Sequence, residues 1–255
     1  MKPEDFDAAV KALGEIEVPD WNKIGKEVLI SHQAEMMRRN GPEFAYPGFP
    51  EPGGIYLLNL RFAHRVSLQN WWIPWDLSFR GSMVAGDFDL SGADCPKGVD
   101  LPAEVGGTTS LASARLGPVH GAGRVFRGVV DATHLTGAGV LNFSEAVFEQ
   151  TASFDSLNLE GEARFSEAMF WGRVSFNHTD FRKGASFQES VFNEMIFMAL
   201  ATFHGRATFF STTFLQDTYW SGATFGGHAD FGAARSKATA ASESVPFKAA
   251  DGLSG

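Results

Sequence analysis

The sequence predicts an all-β solenoid, and two regularities predict this fold class. Phe accounts for 24 of the 255 residues, against 3 Tyr, so one structural role is used many times. From Phe143 to Phe231, a large apolar residue recurs at alternating intervals of five and six residues without a slip. A helical 11-residue repeat would space apolar residues by three and four instead, so the repeating units are extended.

The large residues of 143–231 form two series with a step of 11 residues. The first is Phe143, Phe154, Phe165, Phe176, Phe187, Met198, Phe209, Trp220 and Phe231, and the second is Phe148, Leu159, Phe170, Phe181, Phe192, Phe203, Phe214 and Phe225. A small or aliphatic residue precedes nearly every one by two positions, and such pairs point the same way in an extended chain. Each repeat therefore sends one large and one small side chain inward, and polar residues between them form the turns.

A second array with the same intervals lies upstream, in residues 55–101. The distance from Leu101 to Phe143 is 42 residues, whereas the alternation of five and six allows 38 or 44. The Gly, Ser and Pro content of 106–123 is typical of a loop. We therefore expect an irregular loop insertion over 102–125 and a second array over 126–235.

The two ends of the chain fall outside the arrays. In residues 1–54 we expect a helical cap and a linker, because Phe6, Val10 and Leu13 have helical spacing and Asp20 is a suitable N-cap for a second helix. These helices would cover the first coil or, alternatively, dock a partner. Residues 236–255 are small and polar, which predicts a disordered tail. Since this tail offers little to cover the last coil, the C-terminal coils are a candidate homodimer contact.

The two arrays resemble the pentapeptide-repeat family, and the segment Ser91-Gly92-Ala93-Asp94-Cys95 is typical of its units. The Phe-centred, 11-residue double repeat departs from the usual A-(D/N)-L-x-x unit. The resemblance implies a right-handed quadrilateral β-helix in which four units make one coil. Four steps here total 22 residues, so residues 22 apart should stack in columns along the shaft.

The sequence contains no recognisable catalytic, cofactor-binding or metal-binding constellation. P-loop, G-x-G-x-x-G, G-x-S-x-G and H-E-x-x-H motifs are absent. Cys95 is the only cysteine, which excludes an intrachain disulfide and a cysteine metal cluster. No two of His178, His204 and His228 are 22 residues apart, so none should share a column. We therefore expect a protein that is not an enzyme and that uses no cofactor or metal.

Two sets of outward positions are candidates for binding a partner. Glutamates 22 residues apart, with two more near them, form a predicted acidic ladder: Glu145, Glu167, Glu189, Glu149 and Glu194. Three large apolar residues also fall on outward positions and form a predicted apolar interface: Trp171, Phe210 and Leu215. Alternatively, the acids only keep a Phe-rich shaft soluble and block edge pairing.

Charge and composition narrow the function further. A net charge of -9 argues against direct nucleic-acid binding and permits a partner with a basic surface. The acidic N-terminus does not resemble a signal peptide, and no apolar run is long enough to span a membrane, so we expect a cytoplasmic protein with no membrane contact.

The family resemblance adds a specific partner to these expectations. Pentapeptide-repeat proteins of the quinolone-resistance type resemble duplex DNA in shape and charge, and they bind type II topoisomerases. The resemblance therefore implies a non-enzymatic protein-binding module that acts by DNA mimicry, with gyrase as one partner. The alternative is a structural or assembly scaffold whose N-terminal helices dock a partner.

Overall fold

The computed structural model describes residues 54–237, which form one continuous all-β, right-handed solenoid of about eight turns. Within this range the chain contains 33 strands, all paired in parallel, and no helix. The expected helical cap and the expected C-terminal tail lie outside the described residues, apart from Gly54 at one end and Ser236 and Lys237 at the other.

The strands form four sheets, which we number face 1 to face 4 in the order in which a coil passes through them. Face 1 contains Gly54–Tyr56, Asp76–Ser78, Val99–Asp100, Val119–His120, Leu141–Asn142, Ala163–Arg164, Gly184–Ser186, Arg206–Thr208 and Ala229–Asp230. Face 2 contains Arg61–Phe62, Met83–Val84, Glu104–Val105, Val125–Phe126, Val147–Phe148, Met169–Phe170, Val191–Phe192, Thr213–Phe214 and Arg235–Ser236. Face 3 contains Val66–Ser67, Phe88–Asp89, Thr109–Ser110, Val130–Asp131, Ala152–Ser153, Val174–Ser175, Ile196–Phe197 and Thr218–Tyr219. Face 4 contains Asp94–Cys95, Arg115–Leu116, Thr136–Gly137, Asn158–Leu159, Asp180–Phe181, Thr202–Phe203 and Thr224–Phe225.

The columns expected from the 22-residue period are confirmed. The Phe187 ring is fully buried and stacks between the rings of Phe165 and Phe209, with centroids 5.3 and 4.9 Å away. On face 2, Phe148 stacks on Phe170 at 4.6 Å with the rings nearly parallel. Neighbouring columns meet edge to face, as aromatic pairs prefer. Aromatic rings therefore fill most of the shaft from Phe126 onward, whereas aliphatic residues such as Leu90 and Leu101 fill most of the earlier coils.

The expected loop insertion over 102–125 is wrong, because these residues form strands in register with the coils on both sides. Glu104 pairs with Met83 and with Val125, each 21 residues away, and Val119 pairs with Val99, 20 residues away. The alternation of five and six residues is not interrupted by a loop; instead, two corners are each one residue shorter. Leu101 to Val105 spans four residues in place of five, and Leu116 to Gly121 spans five in place of six, which accounts for the distance of 42 in place of 44.

Some small residues in and after this region occupy inward positions, whereas others, such as Gly106 and Gly123, are exposed. Gly121 and Gly137 take positions that hold Phe in later coils, while Leu135 and Leu141 fill positions that are small elsewhere. A Cβ atom on Gly121 would lie 2.5 Å from the Phe143 ring, so the ring of the next coil occupies the space that the glycine leaves. Large and small inward residues have exchanged places, and the shaft remains filled.

Candidate functional site

Face 2 carries a column of apolar side chains on its outer surface. Strand residues alternate between the two sides of a sheet, so the residue before each buried Phe of face 2 points outward. Four such residues, all partly exposed, pair in register from coil to coil and are called here the apolar column: Val125, Val147, Met169 and Val191. The equivalent positions of one coil on faces 1, 3 and 4 are Arg164, Ser175 and Asp180. Face 2 is therefore the face with a continuous apolar row.

The structure brings Glu145, Glu167 and Glu189 together in one exposed column, called here the acidic ladder. They lie on the corner that joins face 1 to face 2, two residues before Val147, Met169 and Val191. Each backbone N–H donates to a carbonyl of the next coil, for example from Glu167 to Gln188 at 2.7 Å. The backbone of the ladder is thus fixed, and the three carboxylates project side by side beside the apolar column.

The acidic ladder occupies backbone positions that do not favour glutamate. The φ angles of Glu145, Glu167 and Glu189 are 59°, 59° and 58°, in the left-handed region. This region costs a residue with a Cβ atom about 1–2 kcal/mol, and glycine is its usual occupant. Gly81 and Gly123 fill the same corner in earlier coils, with φ values of 75° and 65°. Glutamate is therefore not required at this corner for the coil to form.

Charge repulsion adds to that cost. Adjacent coils lie about 4.8 Å apart, and two like charges at that distance repel by about 1 kcal/mol in water before screening by salt. Within residues 54–237, no member of the ladder forms an ion pair, whereas Arg164 pairs with Glu162 at 2.7 Å and Arg115 pairs with Asp94 at 3.9 Å on other faces. The ladder is thus a row of uncompensated negative charge among the described residues.

Glu149 and Glu194 differ from the ladder. Arg127 bridges Glu149 and Glu104, with nitrogen–oxygen distances of 2.9 and 2.7 Å. The hydrogen bond to Glu104, followed by the charges of Glu104 and Glu149, raises the pKa of Arg127 above its ordinary value. Glu149 therefore lies on face 2 but is neutralised locally. Glu194 is exposed on the corner between faces 2 and 3, across the face from the ladder.

The predicted apolar residues border the same face. Trp171 is 51% exposed and Leu215 is half-buried, and both lie in the column of Glu149, on the side of the apolar column away from the ladder. Phe210 is 42% exposed and lies on the ladder side, where its carbonyl accepts the N–H of Glu189 at 2.9 Å. The acidic and apolar sets, which the sequence suggests separately, thus form one surface around the apolar column.

An exposed group of charged side chains and one buried thiol lie apart from face 2. On face 4, Asp180 lies 2.9 Å from His204 and 3.4 Å from Arg182, and all three side chains are at least a third exposed. Burial, with a smaller contribution from Asp94, raises the pKa of the Cys95 thiol to about 12. Within residues 54–237, His, Cys, Asp and Glu form no group of three that could hold a metal ion.

Over the stretch that the structure describes, no helix has the length and hydropathy of a membrane span.

Comparison with known proteins identifies the repeat. Residues 143–191 match the family model for pentapeptide repeats (9 copies), and this segment contains all three residues of the acidic ladder. No curated protein matches the chain. The coils before and after the matched segment continue its four faces and its strand register. Residues 143–191 are therefore pentapeptide repeats, and they form the central part of a longer solenoid.

Proposed function

We propose that this chain is a non-enzymatic protein-binding module that uses face 2 to dock a partner with a basic and apolar surface. Pentapeptide-repeat solenoids are generally non-enzymatic structural modules, which supports an interaction role for the fold. One observation carries the assignment to face 2. There an uncompensated acidic ladder runs beside the apolar column, with the exposed Trp171 on the other side.

The partner's chemistry follows from charge complementarity. Lys or Arg residues opposite the ladder would relieve the repulsion among Glu145, Glu167 and Glu189, because opposite charges are paired across interfaces. An apolar strip on the partner would cover the apolar column and Trp171, and buried aromatic residues contribute strongly to binding. A wholly basic partner would leave the apolar column in water, so both features are needed.

A narrower version of the proposal is that the partner is a type II topoisomerase, such as gyrase, bound by DNA mimicry. The family and the acidic ladder support it. The charge of the whole shaft does not support DNA mimicry, because residues 54–237 contain 18 Asp and Glu against 14 Lys and Arg. Eight turns at about 4.8 Å per turn span roughly 38 Å, and duplex DNA of that length carries about 22 negative charges. Mimicry would therefore be confined to the corner that carries the ladder.

Site-specific cross-linking in the native host tests the proposal. A photoreactive amino acid is placed at Val147 on face 2 or, as the matched control, at Asn158 on face 4 of the same coil. We expect an adduct from position 147 alone, and we expect Glu145→Lys, Glu167→Lys and Glu189→Lys together to abolish it. Equal adducts from both positions, or none from position 147, would contradict the proposal. In a separate supercoiling assay with purified gyrase, no inhibition at micromolar protein would end the topoisomerase version alone.

A homodimer through the C-terminal coils is a separate proposal about assembly. Phe225 in the last coil is only partly buried, whereas Phe203, one coil earlier in the same column, is fully buried. A second copy stacked on this end would complete the burial of Phe225. Light scattering after size exclusion should then give twice the chain mass, and Phe225→Glu should return it to the monomer mass. The alternative scaffold role of the N-terminal helices concerns residues outside the described range.

A further inference from the structure

The axial spacing of side chains on face 2 can be compared with the spacing of side chains along a helix and along a strand. We infer that face 2 binds an amphipathic α-helix that lies along the solenoid axis, with its apolar stripe on the apolar column and its Lys or Arg residues beside the acidic ladder. This inference rests on the proposed function and adds the shape and sequence pattern of the partner. The axial spacing, the width and the hydrogen bonding of face 2 each support a helical partner.

The axial spacing of the ladder matches a helix. Stacked rings behind face 2 are 4.6–5.3 Å apart from Phe126 to Phe214, close to the usual strand spacing of about 4.8 Å. Side chains on one face of a helix recur about every 5.4 Å. From Glu145 to Glu189 the offset between the two repeats is therefore only about 1 Å, which a flexible Lys side chain accommodates. The apolar column from Val125 to Val191 spans roughly 14 Å, or about ten helical residues.

The width of the face also fits a helix. The ladder, the apolar column and the column of Trp171 are each two residues apart along the chain, for example Glu167, Met169 and Trp171. Two fully extended steps span about 13 Å, and the turn at Glu167 brings the flanks somewhat closer. A helix with its side chains is about 10–12 Å wide. A single helix therefore covers the apolar column while its flanks reach the ladder on one side and Trp171 on the other.

An extended partner does not fit this face. Same-side residues of a strand recur about every 6.7 Å, so a strand along the axis would lose register with the ladder by about 2 Å per coil. A strand cannot add to the face by backbone pairing either, because the backbone groups of face 2 are bonded between coils. The N–H of Val147 donates to Arg124 at 2.8 Å, and that of Glu149 donates to Phe126 at 2.9 Å.

The geometry also gives the sequence pattern of the partner. Apolar residues are required at positions i, i+3 or i+4, and i+7, which form one stripe of a helix. Lys or Arg residues follow one edge of that stripe, opposite the ladder. The other edge faces Trp171, with Glu149 and Asn193 on either side of it in the same column, so this edge is apolar at its centre. The partner is therefore a basic helix with an asymmetric polar face.

Two peptides of equal composition test the inference. The first is a labelled 16-residue Leu and Lys peptide with helical spacing, and the second carries the same residues in strict alternation. By fluorescence anisotropy at physiological salt, we expect the full chain to bind the helical peptide at least tenfold more tightly. Equal binding of the two peptides would overturn the inference.

Variants then locate the binding. Glu145→Gln, Glu167→Gln and Glu189→Gln together should weaken binding of the helical peptide at least tenfold, and so should Met169→Lys alone. The matched control, Glu160→Gln with Glu162→Gln and Asp217→Asn, removes the same charge from other faces and should change binding by less than twofold. An equal effect of both triple variants would refute the assignment to face 2. Melting curves identify any variant that fails to fold.

The outcomes separate this inference from the proposed function. If cross-linking from position 147 succeeds and the two peptides bind equally, face 2 binds a partner that is not a helix. If cross-linking fails, the function proposed for face 2 fails, whatever the peptides do. A dimer of the chain that Met169→Lys dissociates would assign face 2 to a second copy and would overturn the helical partner.

Discussion

Truncation of Phe187 to alanine tests the stacked core most directly. Phe187 is fully buried in the middle of the shaft and contacts rings in three directions. It stacks between Phe165 and Phe209 and meets Phe176 edge to face at a centroid distance of 5.3 Å. The variant Phe187→Ala removes all these contacts and leaves a gap inside a closed column.

The expected loss of stability is about 5 kcal/mol, at the top of the usual range for Phe→Ala in a core. The gap cannot close, because hydrogen bonds between coils fix the spacing of the backbone. The N–H of Phe187 donates to Thr208 at 2.8 Å, and that of Phe165 donates to Ser186 at 2.7 Å. Each lost aromatic pair removes a further 0.5–1.5 kcal/mol, roughly, beyond the area term. Phe187→Leu should cost only about 1–2 kcal/mol, because most of the volume returns.

Urea unfolding followed by circular dichroism gives the measurement. Gln188→Ala is the control, since Gln188 is exposed and its side chain donates only to Glu189 at 2.9 Å in the described structure. This control should change the free energy of unfolding by less than about 0.5 kcal/mol. The urea midpoint should therefore fall strongly for Phe187→Ala and hardly at all for Gln188→Ala, with similar m-values. Equal shifts for the two variants would refute the inward phasing of the Phe columns.

Three further predictions concern the turns and the buried thiol. Glu167→Gly should raise the free energy of unfolding by about 0.5–1 kcal/mol, because relief of the left-handed strain exceeds the entropy that glycine adds to the unfolded chain. The control Ser166→Gly should lower the free energy of unfolding. A loss of stability for both variants in urea unfolding would refute the strain argument. Gly121→Ala should cost about 1–3 kcal/mol, since its Cβ would lie 2.5 Å from the Phe143 ring, and an unchanged melting temperature would contradict this packing. Folding raises the pKa of Cys95 from 9.0 to about 12, so the unfolded chain loses this proton first and stability falls between pH 9 and pH 12 by up to about 1.4 kcal/mol per pH unit. The stability difference between the native chain and Cys95→Ala should therefore narrow as pH rises above 9, and a constant difference would show that the thiol ionises freely.

The shaft could be predicted from the sequence because, from Phe143 onward, large apolar residues recur at its inward positions at regular intervals. The series that includes Phe143, Phe165 and Phe187 keeps its period without a slip, and this period fixes which residues stack. The same reasoning fails over 102–125, where two corners are shortened and Gly121 stands in place of Phe, while Leu141 in the next coil fills a position that is small elsewhere. This compensation occurs between coils, so it is visible only when the coils are in contact.

The candidate site was predictable in part. The 22-residue period places Glu145, Glu167 and Glu189 in one column, and the structure has this arrangement. The apolar column was missed, although Val147, Met169 and Val191 directly precede inward Phe residues where other faces carry polar ones. The pairing of Arg127 with Glu149 follows the 22-residue period, whereas its pairing with Glu104, 23 residues away, does not. That contact depends on the shortened corner after Leu101.

Inward and outward positions alternate in every coil, so most outer side chains can change without an effect on the core. The left-handed corners are the exception, because there the side chain and the backbone conformation are coupled. If each glutamate costs the amount expected from Glu167→Gly, three successive corners of this kind cost the solenoid about 1.5–3 kcal/mol relative to glycine. That is a considerable fraction of the 5–15 kcal/mol that stabilises a typical domain, roughly. Non-glycine residues also take the left-handed conformation at the corner between faces 3 and 4, for example Ser156, His178 and Leu200. The three stacked carboxylates lie beside the continuous apolar column instead, so face 2 is a stronger candidate for binding a partner than the other three faces.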